Sequence, residues 1–183
     1  MALGYLDVFS KRDLWRNVCD KFNGKLEIKS TPGNVLEIHK LTIPFEKWEL
    51  VLTESDTKPL KFEINFESSI DYQLILGHED FFMKILKRLG KKEVEIGNKE
   101  FDSLYFIETN KNFETAKLLS KEIAECILKQ KVYSIAYSTD TKKQTSNLIS
   151  VISMTVDNLT DIEELIDLHF KIIKNLKGQR IIK

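Results

Sequence analysis

A chain of 183 residues, 42% of them hydrophobic, suits one domain of ordinary size that removes roughly 70% of its unfolded surface from water without a disulfide or metal staple. Its 28 lysines and arginines balance its 28 aspartates and glutamates, so no global field draws it to a polyanion or a membrane surface. The start has no basic leader, no apolar run reaches the length of a bilayer span, and Cys19 and Cys126 fall in apolar helical patterns as buried free thiols, which together point to the cytoplasm.

Leu6 to Phe9 reads as a short strand, and Ser10-Lys11-Arg12-Asp13 as a variant capping box. Phe9 and Leu14 take the staple positions of a helix that runs through Trp15, Val18 and Phe22 to Gly24. Strict alternation follows in Leu26/Ile28, Leu36/Ile38, Trp48/Leu50/Leu52, Leu60/Phe62/Ile64/Phe66 and Tyr72/Leu74/Leu76, an antiparallel meander with one wet face. Leu41, Ile43 and Phe45 are odd-numbered whereas Leu36 and Ile38 are even, which predicts a bulge near His39-Lys40, because a one-residue slip turns every side chain over. Pro32-Gly33, Pro44 and the run from Asp56 to Pro59 mark turns. Glu79 and Asp80 then open a helix with the apolar stripe Phe81, Phe82, Ile85, Leu86 and Leu89, closed by Gly90.

Gly97-Asn98 predicts a tight turn, since these two residues tolerate a positive φ best; Phe101 then enters the core and Asp102 bonds nearby backbone. Leu104 to Ile107 reads as a strand, and one helix from Asn112 carries Ala116, Leu119, Ile123, Cys126 and Ile127 at helical spacing. Tyr133/Ile135/Tyr137 pairs with Leu148 to Val156 across the polar loop Thr139 to Asn147. The last helix opens on the capping box Thr160-Asp161-Ile162-Glu163 and buries Ile162, Leu165, Ile166, His169, Ile172, Ile173 and Leu176.

Gly97-Asn98-Lys99-Glu100-Phe101-Asp102, the apolar strand to Ile107, and Ala116-Lys117-Leu118-Leu119 leading to Ile123 and Ile127 resemble a pattern in poorly characterised bacterial domain families of unknown function. There a Gly-Asp-x-x-Phe-Asp turn precedes a strand and a helix with an Ala-x-x-Leu core, and Trp15 ahead of Gly24 is similar to their opening helix. Asn98 stands where those families carry Asp. The resemblance implies a fold and no activity.

The elements add up to a single α+β domain over residues 1–183, mainly a curved antiparallel sheet backed by helices. Residues 1–92 and 93–183 read alike as strand, helix, strands, helix, a topological pseudo-repeat of the saddle type, with a helix-grip sheet around one long C-terminal helix as the rival.

Chemistry is scarce along the chain. His39, His78 and His169 are scattered, without a second His or Cys at metal spacing, and no cofactor motif occurs. Cys19 and Cys126 lie away from helix N-termini, where a thiolate would be stabilised. Glu163/Glu164 and Glu93/Glu95 fit a first helical turn and a wet strand face. The basic runs Lys84 to Lys92 and Lys171, Lys174, Lys177 and Arg180 complement helix C-termini, and Lys and Glu alternate on the strand faces, so no nucleic-acid or membrane surface is expected. The expectation is a non-catalytic module working through a protein partner or as an accessory. A carrier of a small apolar ligand, held in a cavity between sheet and helix, is the second reading, and an enzyme with a site assembled only in three dimensions is the third.

Overall fold

The computed structural model describes residues 8–30, 37–78, 94–153 and 155–183. In chain order these form α1 (Val8–Lys21), β1 (Lys25–Ser30), β2 (Glu37–Phe45), β3 (Trp48–Ser55), β4 (Lys58–Glu67), β5 (Gln73–His78), α2 (Lys99–Leu104), β6 (Tyr105–Thr109), α3 (Asn112–Leu118), α4 (Lys121–Lys129), β7 (Val132–Asp140), β8 (Thr145–Ile152) and α5 (Leu159–Gly178). The expected turn at Pro32-Gly33, the Leu36 position, the helix opening at Glu79, the basic run Lys84 to Lys92, and Glu93 lie outside the described residues.

The strands make one open antiparallel sheet in the order β1-β2-β3-β4-β8-β7-β5-β6, so the fold is α+β as the alternation implied. Alternate residues of each strand point to one face because the side-chain period is two. Leu41, Ile43, Leu50, Leu52, Leu60, Phe62, Ile64, Leu74, Leu76, Ile135, Tyr137 and Leu148 all turn to the same face and are buried there. The helices supply the other half of this core: α1 through Trp15 and Val18, α4 through Ile123 and Ile127, and α5 through Leu165, Ile166, Ile172 and Ile173. Full burial of each such side chain contributes about 1.5–3 kcal/mol, which is why the apolar stripes decide where the helices dock.

Several local expectations are corrected. β2 runs without a bulge: its register against β1 and β3 is unbroken from Ile38 to Thr42, so His39 continues the inward phase of Leu41 and Ile43 while Ile38 points outward, 42% exposed. A two-residue turn at Glu46-Lys47 ties β2 to β3 and holds this register, with Pro44 inside β2 beyond the last β1 partner, Thr42, where its missing N–H leaves no gap in that ladder. The register shifts fall at Thr53/Ser55 against β4 and at Val132/Ser134 against β8; the second turns Val132 into the core and leaves Tyr133 half-buried.

Val8 and Phe9 belong to α1 and not to a strand, which puts Ser10 inside the helix and removes its capping role. At the far end Asn23 adopts φ +49, the left-handed residue that ends the helix, while Gly24 is needed for space: a Cβ there would meet Leu41 Cδ1 at 2.8 Å and the Thr42 carbonyl at 3.0 Å. Leu104 closes α2 and is exposed. The single helix expected from Asn112 is two, separated at Leu119-Ser120, with Ala116 exposed. α5 is capped by Asn158, whose Oδ1 accepts from the Asp161 N–H at 2.9 Å, so the cap precedes Thr160. The strand β5, from the first half of the chain, pairs with β6 and β7 of the second, so the halves share one sheet.

Candidate functional site

The β3–β4 hairpin organises a groove and a pocket at the surface. Its two-residue turn is Asp56-Thr57, and the register shift places two residues, Pro59 and Leu60, opposite the single Glu54. A bulge bends the strand that carries it. On the sheet face opposite the core, Thr53 pairs with Lys61 and Lys61 with Val151, while Ile38 lies across from Ser55. These residues with Glu54 and the hairpin residues Thr57, Lys58 and Pro59 line a groove of about 610 Å³. Farther along this face, at β6, Phe106 and Glu108 are buried.

A smaller polar pocket of about 280 Å³ shares the same hairpin, lined by Lys11 of α1, Glu54 to Pro59, Ser153, Thr155 and Asp157. Glu54 lies on the core side, 6% exposed, with its carboxylate 2.9 Å from Lys11 Nζ. Burial raises its pKa above the usual carboxylate range, and Lys11 opposes that shift. The Trp15 indole N–H faces the same carboxylate without reaching hydrogen-bond geometry.

Beside them, His39 is buried and stacks on Trp15, ring centroids 5.7 Å apart. Among the described residues neither of its ring nitrogens has a hydrogen-bond partner, although Nε2 is 3.4 Å from Glu37 Oε2. Burial lowers its pKa, and Glu37 pulls the other way. Glu37 is instead claimed by Arg12, which donates from both Nε and Nη2 and holds the carboxyl below its ordinary range. The backbone N–H of Glu37 donates to Asp56 Oδ2 at 2.9 Å. Periodicity could not reveal this group, because it joins α1, the start of β2 and the β3–β4 turn.

The other sequence candidates disperse. Gly97 has φ +83, Asn98 Oδ1 accepts from the Phe101 N–H at 3.2 Å, Phe101 is fully buried on Tyr105, and the Asp102 carboxylate accepts from the N–H groups of Ile96 and Gly97 at 3.0 and 2.9 Å. Those four residues lock a turn to α2 and lie on different elements from the groove. His169 is buried on Phe62, with Nδ1 2.6 Å from the Leu165 carbonyl and Nε2 2.8 Å from Ser150 Oγ. Cys19 and Cys126 are free but half-buried, short of the full burial expected; Cys19 lies 3.2 Å from the Gly24 carbonyl, and burial raises the Cys126 thiol pKa. Glu163 pairs with Lys21, and Glu164 with Lys129 and Gln130. Lys171 and Lys177 pair with Glu122 and Glu46, and Lys174 lies over Phe45.

Among the described residues no cluster of three or more His, Cys, Asp or Glu is placed to hold a metal, and no helix is long and apolar enough to cross a membrane. The aromatic residues at the sheet–helix interface pack on one another: Phe45 on Phe170, Trp48 on Phe66 and Tyr72 on Tyr137.

No family model matches this sequence, and no curated protein matches it. Among solved structures, the crystal structure of the mycobacterial trehalose monomycolate transport factor A, TtfA, is similar over 94% of this chain and 97% of that one, with a TM-score of 0.55 and 8% identity. At that identity the likeness is one of fold.

Proposed function

We propose that this chain is a non-catalytic, cytoplasmic accessory module that binds a small apolar ligand in the groove at the β3–β4 hairpin. The observation that carries the reading is the groove itself: about 610 Å³, with Ile38, Pro59 and Val151 in its lining and a mostly apolar exposed surface, although Thr53, Glu54, Ser55, Thr57, Lys58 and Lys61 also line it. That size and character suit a small-molecule site. Aromatic side chains pack on one another between sheet and helices, which supports a site on the opposite face over the interior cavity that composition alone suggested. The pairing of Glu163, Glu164 and Glu54 with lysines favours binding over acid–base chemistry. The similarly folded TtfA is a transport factor, and a transport or accessory role is in keeping with ligand binding here.

Titration with the neutral apolar fluorophore N-phenyl-1-naphthylamine tests the reading. Saturable uptake by the wild type is expected, weakened at least ten-fold in Ile38→Asp and in Val151→Asp, with circular dichroism confirming that both variants fold. No uptake by the folded wild type, or equal uptake by both folded variants, overturns it and leaves a protein partner as the better reading.

A further inference from the structure

Resting on that reading, we infer that the ligand of the groove is an amphiphile with one negatively charged head group, its apolar chain against Ile38 and Val151 and its head at Lys58. The ion pairs around the groove single out this lysine. Glu54 is answered by Lys11 at 2.9 Å, and Lys61 by Glu63 at 2.7 Å. The Asp56 carboxylate accepts the Glu37 backbone N–H and, like Asp157, lines the smaller polar pocket and not the groove. Lys58 lines the groove with no carboxylate partner among the described residues. An ammonium group next to an apolar surface attracts a negative charge more strongly than it would in open water, because the low-dielectric wall concentrates its field. An apolar groove with one uncompensated cation at its rim therefore selects a ligand that is apolar along its length and anionic at one end. A cationic amphiphile of equal length meets like charge there.

The test is displacement of bound N-phenyl-1-naphthylamine by dodecanoate, dodecanol and dodecyltrimethylammonium, each below its micelle concentration and at low salt. Dodecanoate is expected to compete at least ten-fold more tightly than dodecyltrimethylammonium. Lys58→Met should abolish that preference and Lys58→Glu reverse it. Lys47→Met, in the turn that precedes β3 and away from the β3–β4 hairpin turn, should leave it intact. Equal displacement by the three chains in the wild type, or a preference unchanged in Lys58→Glu, overturns the anionic-head inference while the apolar-ligand reading stands. Failure of the wild type to bind the fluorophore removes both.

Discussion

His169 and His39 are both buried, and they differ in whether the core satisfies them. At His169 the Leu165 carbonyl can only accept, so Nδ1 carries the proton, and Nε2 is left to accept from the Ser150 hydroxyl. Burial, partly opposed by the bond to Leu165, lowers the pKa from 6.5 to about 4. The unfolded chain therefore takes up the proton first as pH falls. The neutral ring's contribution is complete above about 6.5 and is lost progressively towards about 4, amounting to about 3 kcal/mol across that window. Subtracting the urea-unfolding pH profile of His169→Leu, Ser150→Ala from that of the wild type should isolate this slope, since the double change leaves no orphaned hydroxyl. A flat difference, or a raised pKa by NMR titration, contradicts the neutral assignment. His39 has no such partners among the described residues, and an imidazole buried without hydrogen bonds costs about 1–3 kcal/mol. His39→Phe keeps a ring against Trp15 and should raise stability at pH 7 by about 1 kcal/mol, read as a higher denaturation midpoint at unchanged m-value.

The turn before α2 shows how one short element is specified. Gly97 takes φ +83 with open space around it, Asn98 caps the helix, and Asp102 ties the turn back through two backbone N–H groups. Phe101→Ala should cost about 3–5 kcal/mol because the ring is fully buried, whereas Asn98→Asp keeps an acceptor at the cap and should change stability by under about 0.5 kcal/mol. Thermal melts of the two variants decide this: a Phe101→Ala loss under about 1 kcal/mol is incompatible with the packing described. At the end of α1 the constraint is steric. Gly24→Ala pushes a methyl towards the Thr42 carbonyl, which belongs to a strand paired on both sides and cannot yield easily; a loss of about 1–3 kcal/mol is expected from chemical denaturation.

At the scale of the whole molecule, the insertion of β5 between β6 and β7 joins early and late sequence in one hydrogen-bonded layer. Such a sheet does not divide at residue 92 without breaking three pairings, β4 with β8, β7 with β5 and β5 with β6, and leaving their edges unpaired. Trp15 and Trp48, both early in the chain, and α5, the longest of the described helices and late in the chain, should report the same transition: tryptophan fluorescence and far-UV circular dichroism are expected to coincide in one cooperative unfolding curve. A fragment of residues 93–183 should show no cooperative melt. Separate transitions, or a folded fragment, would show that the halves are autonomous.

Much of this architecture was legible because burial imposes a period. Trp48/Leu50/Leu52 and Leu60/Phe62/Ile64/Phe66 announced strands with one wet face, and the stripe from Ile162 to Leu176 announced a helix, since those side chains leave water only when the backbone puts them on one side. The turn around Gly97 was legible for a local reason, its residues bonding to one another within a few positions. The phase of β2 was not: Ile38 and His39 compete for the inward position, and the pairing to β3 turned the histidine in and the isoleucine out. The break between α3 and α4 and the cap at Asn158 likewise depended on where each helix met its neighbours. Only the tertiary structure decided the strand order and brought Ile38, Lys58 and Val151 to one groove, because a sheet joins residues far apart in the chain through backbone bonds that carry no signature in the side-chain sequence.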